Sequence, residues 1–289
     1  MNYERWLKKN AGTLSGKRVA ITGATGGIGM ELCRHLAHLD AELVLLNRSR
    51  EKTKALIARL KSEFPNLLVS FIPLDLTDMQ SVDAAVECLK ADCPDLLIHN
   101  AGAYSIPRYK TSLLVDNVFQ INCLAPFYMT ERLIEPLRQR QGRVVIVGSI
   151  AHTYSKTDAA DFDFATRRAA SRVYGNAKRT LMLAMYQRFQ TETAVSLSVV
   201  HPGITLTNIT AHYPKFVFAL IKHPMKVLFM SPKKAALCVV QGVFTACRYG
   251  EWIGPRVAGI WGLPRKTVLH TFDRGEAARA YETLLSVLP

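Results

Sequence analysis

Tyr174 and Lys178 stand four positions apart in Tyr174-Gly175-Asn176-Ala177-Lys178. On a helix that spacing puts a phenol and an ammonium on one face. A phenol titrates near pKa ~10 and is a poor proton donor or acceptor at neutral pH. A neighbouring cation favours the phenolate and moves that value down. Tyr174 is therefore the candidate proton-transfer residue of an acid–base reaction, with Lys178 as its tuner. The spacing also arises by chance, as packing plus a solvated charge, so the pair needs partners elsewhere in the chain.

A second candidate is a glycine-rich turn, Thr22-Gly23-Ala24-Thr25-Gly26-Gly27-Ile28-Gly29, directly after an apolar run. Glycines permit a tight turn and let backbone approach a diphosphate closely. A helix starting at about Ile28 would aim unpaired N–H groups and a positive dipole end at the anion. The spacing is Gly-xxx-Gly-x-Gly, not the Gly-x-Gly-xx-Gly of the commonest dinucleotide folds. Twenty residues on, Asn47-Arg48-Ser49-Arg50 ends the next apolar run. A carboxylate there would accept from the ribose hydroxyls and repel a 2′-phosphate. Its absence, and the planar donor fork of Arg48, predict NADP(H) over NAD.

These residues need a scaffold. Apolar runs rich in β-branched residues predict strands at Arg18–Thr22, Glu42–Leu46, Leu68–Leu74, Asp95–His99, Arg143–Gly148 and Ser196–His201. Amphipathic stretches predict helices at Ile28–Leu39, Arg50–Glu63, Met79–Ala91, Val115–Arg140 and Val173–Thr191. Continuously apolar strands alternating with helices imply an α/β fold, a doubly wound, mostly parallel sheet with helices on both faces. Ligands in such sheets bind beyond the carboxyl ends of the strands, where each motif falls. The chain reads as a single domain over 1–289, with a cofactor and catalytic core over 17–207 and a substrate lid and sheet completion over 208–289.

The order Thr22–Gly29, Asp75, Asn100-Ala101-Gly102, Asn122, Ser149, Tyr174–Lys178 and Pro202-Gly203 resembles the short-chain dehydrogenase/reductase family across about Lys17 to Thr207. That resemblance implies a Rossmann-type fold and reversible hydride transfer between a nicotinamide and a carbonyl or alcohol. It implies that Asp75, with Leu76 beside it, holds the adenine, and that Asn100-Ala101-Gly102 lies along the cofactor. Pro202-Gly203-Ile204 would contact the nicotinamide end, with Thr207 nearby. Ser149 would hold the substrate oxygen and Tyr174 would move the proton. Lys178 would bind the nicotinamide ribose and depress the tyrosine pKa, and Asn122 would anchor a water of the proton relay. Gly148-Ser149 stands where Ser-Ser is frequent, and His99 where a second Asn often precedes Asn-Ala-Gly; His99 reads as a core histidine. The 25 positions from Ser149 to Tyr174, with Ser149-Ile150-Ala151-His152 and Asp161-Phe162-Asp163-Phe164 between them, look like the retinol dehydrogenase and protochlorophyllide reductase-like branch. His152 reads as a loop residue outside the chemistry.

Composition sets bounds. Thirty-seven basic residues against 23 acidic ones give a formal charge of +14, which suits an anionic cofactor, an anionic substrate or an anionic membrane. No zinc-ligand spacing or aromatic RNA-binding signature accompanies it, so neither a metal nor a nucleic acid is expected. Cys33, Cys88, Cys93, Cys123, Cys238 and Cys247 form no close pair, which fits a reducing, cytoplasmic setting. Met1–Gly16 is polar, without the apolar core of a secretory signal. The nearest candidate for a spanning helix, Phe216–Met230, is broken by Lys222, His223, Pro224 and Lys226. Tyr213–Ile221 predicts an apolar cover for a retinoid-, steroid- or lipid-aldehyde-like substrate, or, with the lysines of 213–234, peripheral contact with an anionic membrane. The long helices offer surfaces for a homodimer. Alternative readings on the same scaffold are an alkene-reducing or epimerising enzyme, and a catalytically silent NADP(H)-sensing scaffold protein.

Overall fold

The apolar runs become neighbouring strands in a computed structural model that describes residues 3–158, 161–162, 164–166, 169–205 and 230–289. The strands are β1 (Arg18–Thr22), β2 (Glu42–Asn47), β3 (Val69–Pro73), β4 (Leu96–His99), β5 (Arg143–Val147), β6 (Ser196–Val200), β7 (Glu251–Val257) and β8 (Trp261–Val268). They form one sheet in the order β3-β2-β1-β4-β5-β6-β7-β8. All pairs are parallel except β7–β8. Every residue of β4, and all but the first of β1, β5 and β6, is buried, which is what continuous apolar runs covered on both faces require. β3, flanked only by β2, alternates towards solvent instead.

The helices are α1 (Tyr3–Asn10), α2 (Gly27–His38), α3 (Arg50–Glu63), α4 (Met79–Ala91), α5 (Asn117–Phe119), α6 (Ala125–Gln139), α7 (Ala170–Arg188), α8 (Pro232–Phe244) and α9 (Arg274–Val287). Ser49, Asp78, Ser231 and Asp273 start α3, α4, α8 and α9 by accepting from backbone N–H groups of the first turn. One core packs α4, α6, α7 and α9 against one face of the sheet, and a second packs α1, α2, α3 and α8 against the other. The carboxyl ends of the central strands are thus left to loops, where a ligand can lie.

One expectation changes. The single helix over Val115–Arg140 is divided: α5 is followed by a π turn, Gln120–Leu124, before α6 begins. Pro126 is the cause. It lacks an N–H, so the α-register bond to the Asn122 carbonyl cannot form; one residue earlier, Ala125 N–H passes over Ile121 O to reach Gln120 O. At the far end, β7, β8 and α9 finish the sheet and its cover; β7 pairs β6 through Val200 and Ile253. Thr207, the apolar stretch Tyr213–Ile221 and most of 213–234 lie outside the described residues.

All six cysteines are free thiols. Among the described residues, no helix is long and apolar enough to cross a membrane, and no cluster of potential ligands could hold a metal.

Candidate active site

The glycine turn is built from close approaches that a side chain would forbid. Gly23 has φ +67°, and a Cβ on it would stand 2.8 Å from Ala101 Cα. On Gly29 a Cβ would sit 2.4 Å from Gly23 O. Asn100 Nδ2 donates to Thr22 O and Gly23 O at 3.1 Å each, and Ala101 N donates to Thr22 Oγ1 at 3.0 Å. Asn100-Ala101, directly after β4, therefore clamps the turn after β1. α2 starts at Gly26 with no side-chain cap, so the N–H groups of its first turn face outward for an anion.

At the end of β2, Asn47 accepts from Thr25 N at 3.4 Å, while its buried Nδ2 has no partner among the described residues. Arg48 beside it is 77% exposed in its side chain, and its Nη1 lies 4.0 Å from Asp75 Oδ2. Asp75 uses its other oxygen to accept from Thr77 N and Oγ1 at 2.9 and 2.7 Å. Leu76 is buried, its carbonyl held by Gln120 Nε2 at 3.0 Å. An orphan amide, an unspent guanidinium edge and an uncapped helix start face one stretch of the sheet edge. This donor set fits a dinucleotide, whose anionic diphosphate would lie at α2 and whose adenosine end would lie by Asn47, Arg48 and Asp75.

The acid–base residues converge further along β4 and β5. Lys178 Nζ donates to Val147 O at 2.8 Å, and Ser149 follows two residues later in β5's exit loop. The same Nζ lies 5.8 Å from the centroid of the Tyr174 ring. A Cβ on Gly102 would stand 3.0 Å from Asn122 Oδ1 and 3.5 Å from Lys178 Nζ, so three motifs distant in sequence meet at one point. Asn122 sits in the π turn; its Nδ2 donates to Ala103 O and Val118 O, both at 2.8 Å. Gly175 lets α7 press on the Ser149 loop: a Cβ there would meet Ala151 O at 2.4 Å. Gly148, where Ser-Ser was the familiar pattern, has a similar cause, since a Cβ would lie 2.7 Å from Met182 Sδ.

Burial dominates the electrostatics of this cluster. Burial pushes the Tyr174 phenol up to about 12, only partly offset by its hydrogen bond with Ser149, and Tyr104 adds to the rise. Lys178 stands beside it, its Nζ 5.8 Å from the ring centroid. The lysine is itself lowered to about 8 by burial and spends a donor on Val147 O. The protein's own groups thus keep Tyr174 protonated at neutral pH. His99 is the core histidine expected: Nε2 lies 3.0 Å from Thr130 Oγ1, and burial, with the Lys178 charge, brings its pKa down to about 3.

Beyond the cluster, Gly203 at φ +82° brings the Pro202-Gly203-Ile204 turn against the β7–β8 hairpin; a Cβ would lie 2.8 Å from Ile260 O. Ile204 O accepts from Met230 N at 3.0 Å.

Sequence reasoning missed a buried polar chain behind Ser149. His152 is not an ordinary loop residue but a buried member of a 3-10 turn, Ile150–Thr153. Its Nδ1 lies 2.7 Å from Ser149 O and its Nε2 2.7 Å from Thr271 Oγ1. Arg179, one residue after Lys178, donates to Thr271 O at 3.1 Å and forks onto Glu276 of α9 at 2.6 and 2.5 Å. The Ser149 loop, α7 and α9 are thereby tied together. Tyr104, whose ring stands edge-on to Tyr174 at 5.3 Å, was also missed. Its position two residues after Asn100-Ala101-Gly102 was the available signal.

Known proteins share much of this sequence and its fold. Mouse retinol dehydrogenase 12 is 32% identical over 229 residues, covering 77% of this chain and 72% of that protein. Human polyprenol dehydrogenase is 30% identical over 207 residues, covering 68% of this chain and 63% of that protein. The chain therefore matches roughly two thirds of these relatives' own length. Among solved structures, a short-chain dehydrogenase from Sphingobium yanoikuyae in complex with NADPH is similar at TM-score 0.55 and 26% identity, covering 68% of this chain and 74% of its own. An uncharacterised Mycobacterium paratuberculosis protein shares the fold at TM-score 0.78 and 23% identity over 96% and 94% of the two chains. Residues 17–216 match the family described as short chain dehydrogenase. The chain is an oxidoreductase of the short-chain dehydrogenase family, in its retinol dehydrogenase-like branch, which uses a nicotinamide cofactor on the CH–OH or C=O group of a small molecule.

Proposed function

We propose that the protein is an NADP(H)-dependent reductase of hydrophobic carbonyl compounds, with Tyr174 as proton donor. The observation that carries this reading is the meeting of Asn122, Lys178 and Gly102 within a few ångströms beside the Tyr174–Ser149 pair. When bound, the nicotinamide supplies the hydride. Ser149 holds the substrate oxygen, and the Tyr174 phenol donates a proton to it as negative charge develops. Positioned general acids of this kind contribute roughly 10²–10⁴ in rate. A phenol held near 12 is protonated at neutral pH and suited to that reductive step; alcohol oxidation would need the costlier phenolate. Lys178, at about 8, is largely cationic at neutral pH and offsets charge left on Tyr174 after transfer. Asn122 holds the loop Ala103 and the π turn together, and its carbonyl, released by Pro126, is an acceptor for a water feeding Lys178.

NADP(H) preference rests on Arg48, exposed at the end of β2 with no carboxylate at that strand end. The hydrophobic substrate class rests on Tyr104 against Tyr174 and on two relatives named for retinol and polyprenol, both apolar alcohols. Fluorescence titration with NADPH and NADH, followed by a screen of retinoid, steroid and lipid aldehydes read at the reduced nicotinamide band, tests it. Tighter NADPH binding and turnover of an apolar carbonyl support the reading. Preferential NADH binding overturns the cofactor assignment, and undiminished turnover by Tyr174→Phe overturns the mechanism.

A further inference from the structure

α1 and the β7–β8 hairpin border an open cleft of about 700 Å³, within the ~300–1,000 Å³ of small-molecule sites. It is not the dinucleotide site: in the sheet, four strands separate β8 from β1, whose exit forms the glycine turn. Arg5 and Lys9, one helical turn apart on α1, form one wall, and Arg256 of β7 with Arg265 of β8 forms the other. Trp6, 6% exposed, and the half-buried Leu263 give it an apolar floor. Among the described residues, no carboxylate lines it.

Other cations of this surface are partnered in several ways: Lys233 lies 3.7 Å from the Tyr3 ring centroid and Lys234 5.8 Å from that of Trp261. Lys266, next to Arg265, meets Glu251 at 3.1 Å, and Lys17 meets Asp95 at 2.9 Å. None of the four cleft cations has an acidic partner among the described residues. All four are exposed, and their charges add over one concavity, which favours an anion there. Guanidinium forks match phosphate oxygens in shape, and a phosphate monoester brings about two negative charges at once. The apolar floor suits an organic group joined to that phosphate.

We propose that this cleft is a second ligand site, for a phosphate-bearing organic anion whose phosphate lies between the α1 cations and the hairpin arginines. A soluble phosphorylated metabolite and a phosphorylated lipid headgroup share that chemistry. The site is independent of the redox reading; its failure leaves Tyr174 and the glycine turn untouched.

The test uses the full chain saturated with whichever nicotinamide cofactor it binds, so that the glycine turn is filled. Isothermal titration with inorganic pyrophosphate forms one arm. Co-sedimentation with phosphatidylcholine vesicles, with and without phosphatidic acid, forms the other. Saturable, salt-sensitive binding is expected in at least one arm, and at least tenfold weaker binding by Arg256→Glu/Arg265→Glu. That variant lies on exposed hairpin positions and keeps cofactor binding and thermal unfolding as folding controls; Lys9→Glu probes the opposite wall. Pyrophosphate binding points to a soluble ligand, and binding to phosphatidic acid vesicles alone points to a lipid headgroup. Binding in neither arm, or unchanged binding by both variants, overturns the site.

Discussion

Between β1 and α2 the protein makes room by leaving side chains out, whereas along α7 it fills space with ionisable ones. The glycine turn works through backbone: Gly23, Gly29 and the uncapped start of α2 present N–H groups where any added carbon would collide with Gly23 O or Ala101. The α7 face works through desolvated side chains: a phenol pushed up to about 12 and an ammonium lowered to about 8, each by burial first. One region is therefore sensitive to shape and indifferent to chemistry. The other tolerates an isostere in its packing but not in its reaction.

That contrast can be broken or sharpened by substitution. The largest effect is expected at Tyr174→Phe, which keeps the ring against Tyr104 and removes the proton. Its kcat should fall by about 10²–10⁴-fold with cofactor affinity little changed, as measured by steady-state kinetics beside NADPH titration. Gly29→Ala should do the reverse. With 2.4 Å available to its Cβ, it should lose cofactor affinity by more than about tenfold and also lower the unfolding temperature. If kcat at saturating cofactor collapsed while affinity held, the division between shape and chemistry would be wrong.

Glu276 tests whether the chain behind Ser149 supports the α7 side. Burial would raise its pKa, but the Arg179 fork and the Thr157 bonds outweigh that and bring it to about 2. A folded value below the unfolded carboxylate value stabilises the protein above pH ~4.5, and that contribution is lost as the pH falls towards about 2. Glu276→Gln should cost on the order of 2 kcal/mol at neutral pH, with the gap to wild type closing on acidification. Denaturant unfolding across that pH window checks it, and a gap independent of pH would refute the ionic role. The smallest change is expected at Arg48→Glu, roughly a tenfold shift in the NADPH-to-NADH affinity ratio from loss of a phosphate-matching charge. Kd values for the two cofactors measure it directly.

Much of the fold was legible because its cause is local. β1 begins and ends at Arg18 and Thr22 as its apolar run predicts, and the starts of α3 and α4 follow from Arg50 after Ser49 and Met79 after Asp78. The division at Gln120–Leu124 had its signal in Pro126, which the apolar pattern around it obscured. β7, β8 and α9 were harder to see. Gly254, Pro255, Gly262 and Pro264 interrupt the β-strand pattern, and those strands exist because β6 offers a free edge.

The sequence alone determined the parallel sheet, the glycine turn and the pairing of Tyr174 with Lys178, because residue spacing and burial preference act within a few residues of chain. Tertiary structure decided the rest. Only the fold sets Lys178 on Val147 O rather than on the phenol, gives Tyr174 its raised pKa, and ties Ser149 through His152 and Thr271 to Arg179 and Glu276. Desolvation and hydrogen bonds between distant segments have no counterpart in spacing. They arise once the chain has excluded water from the place where those segments meet.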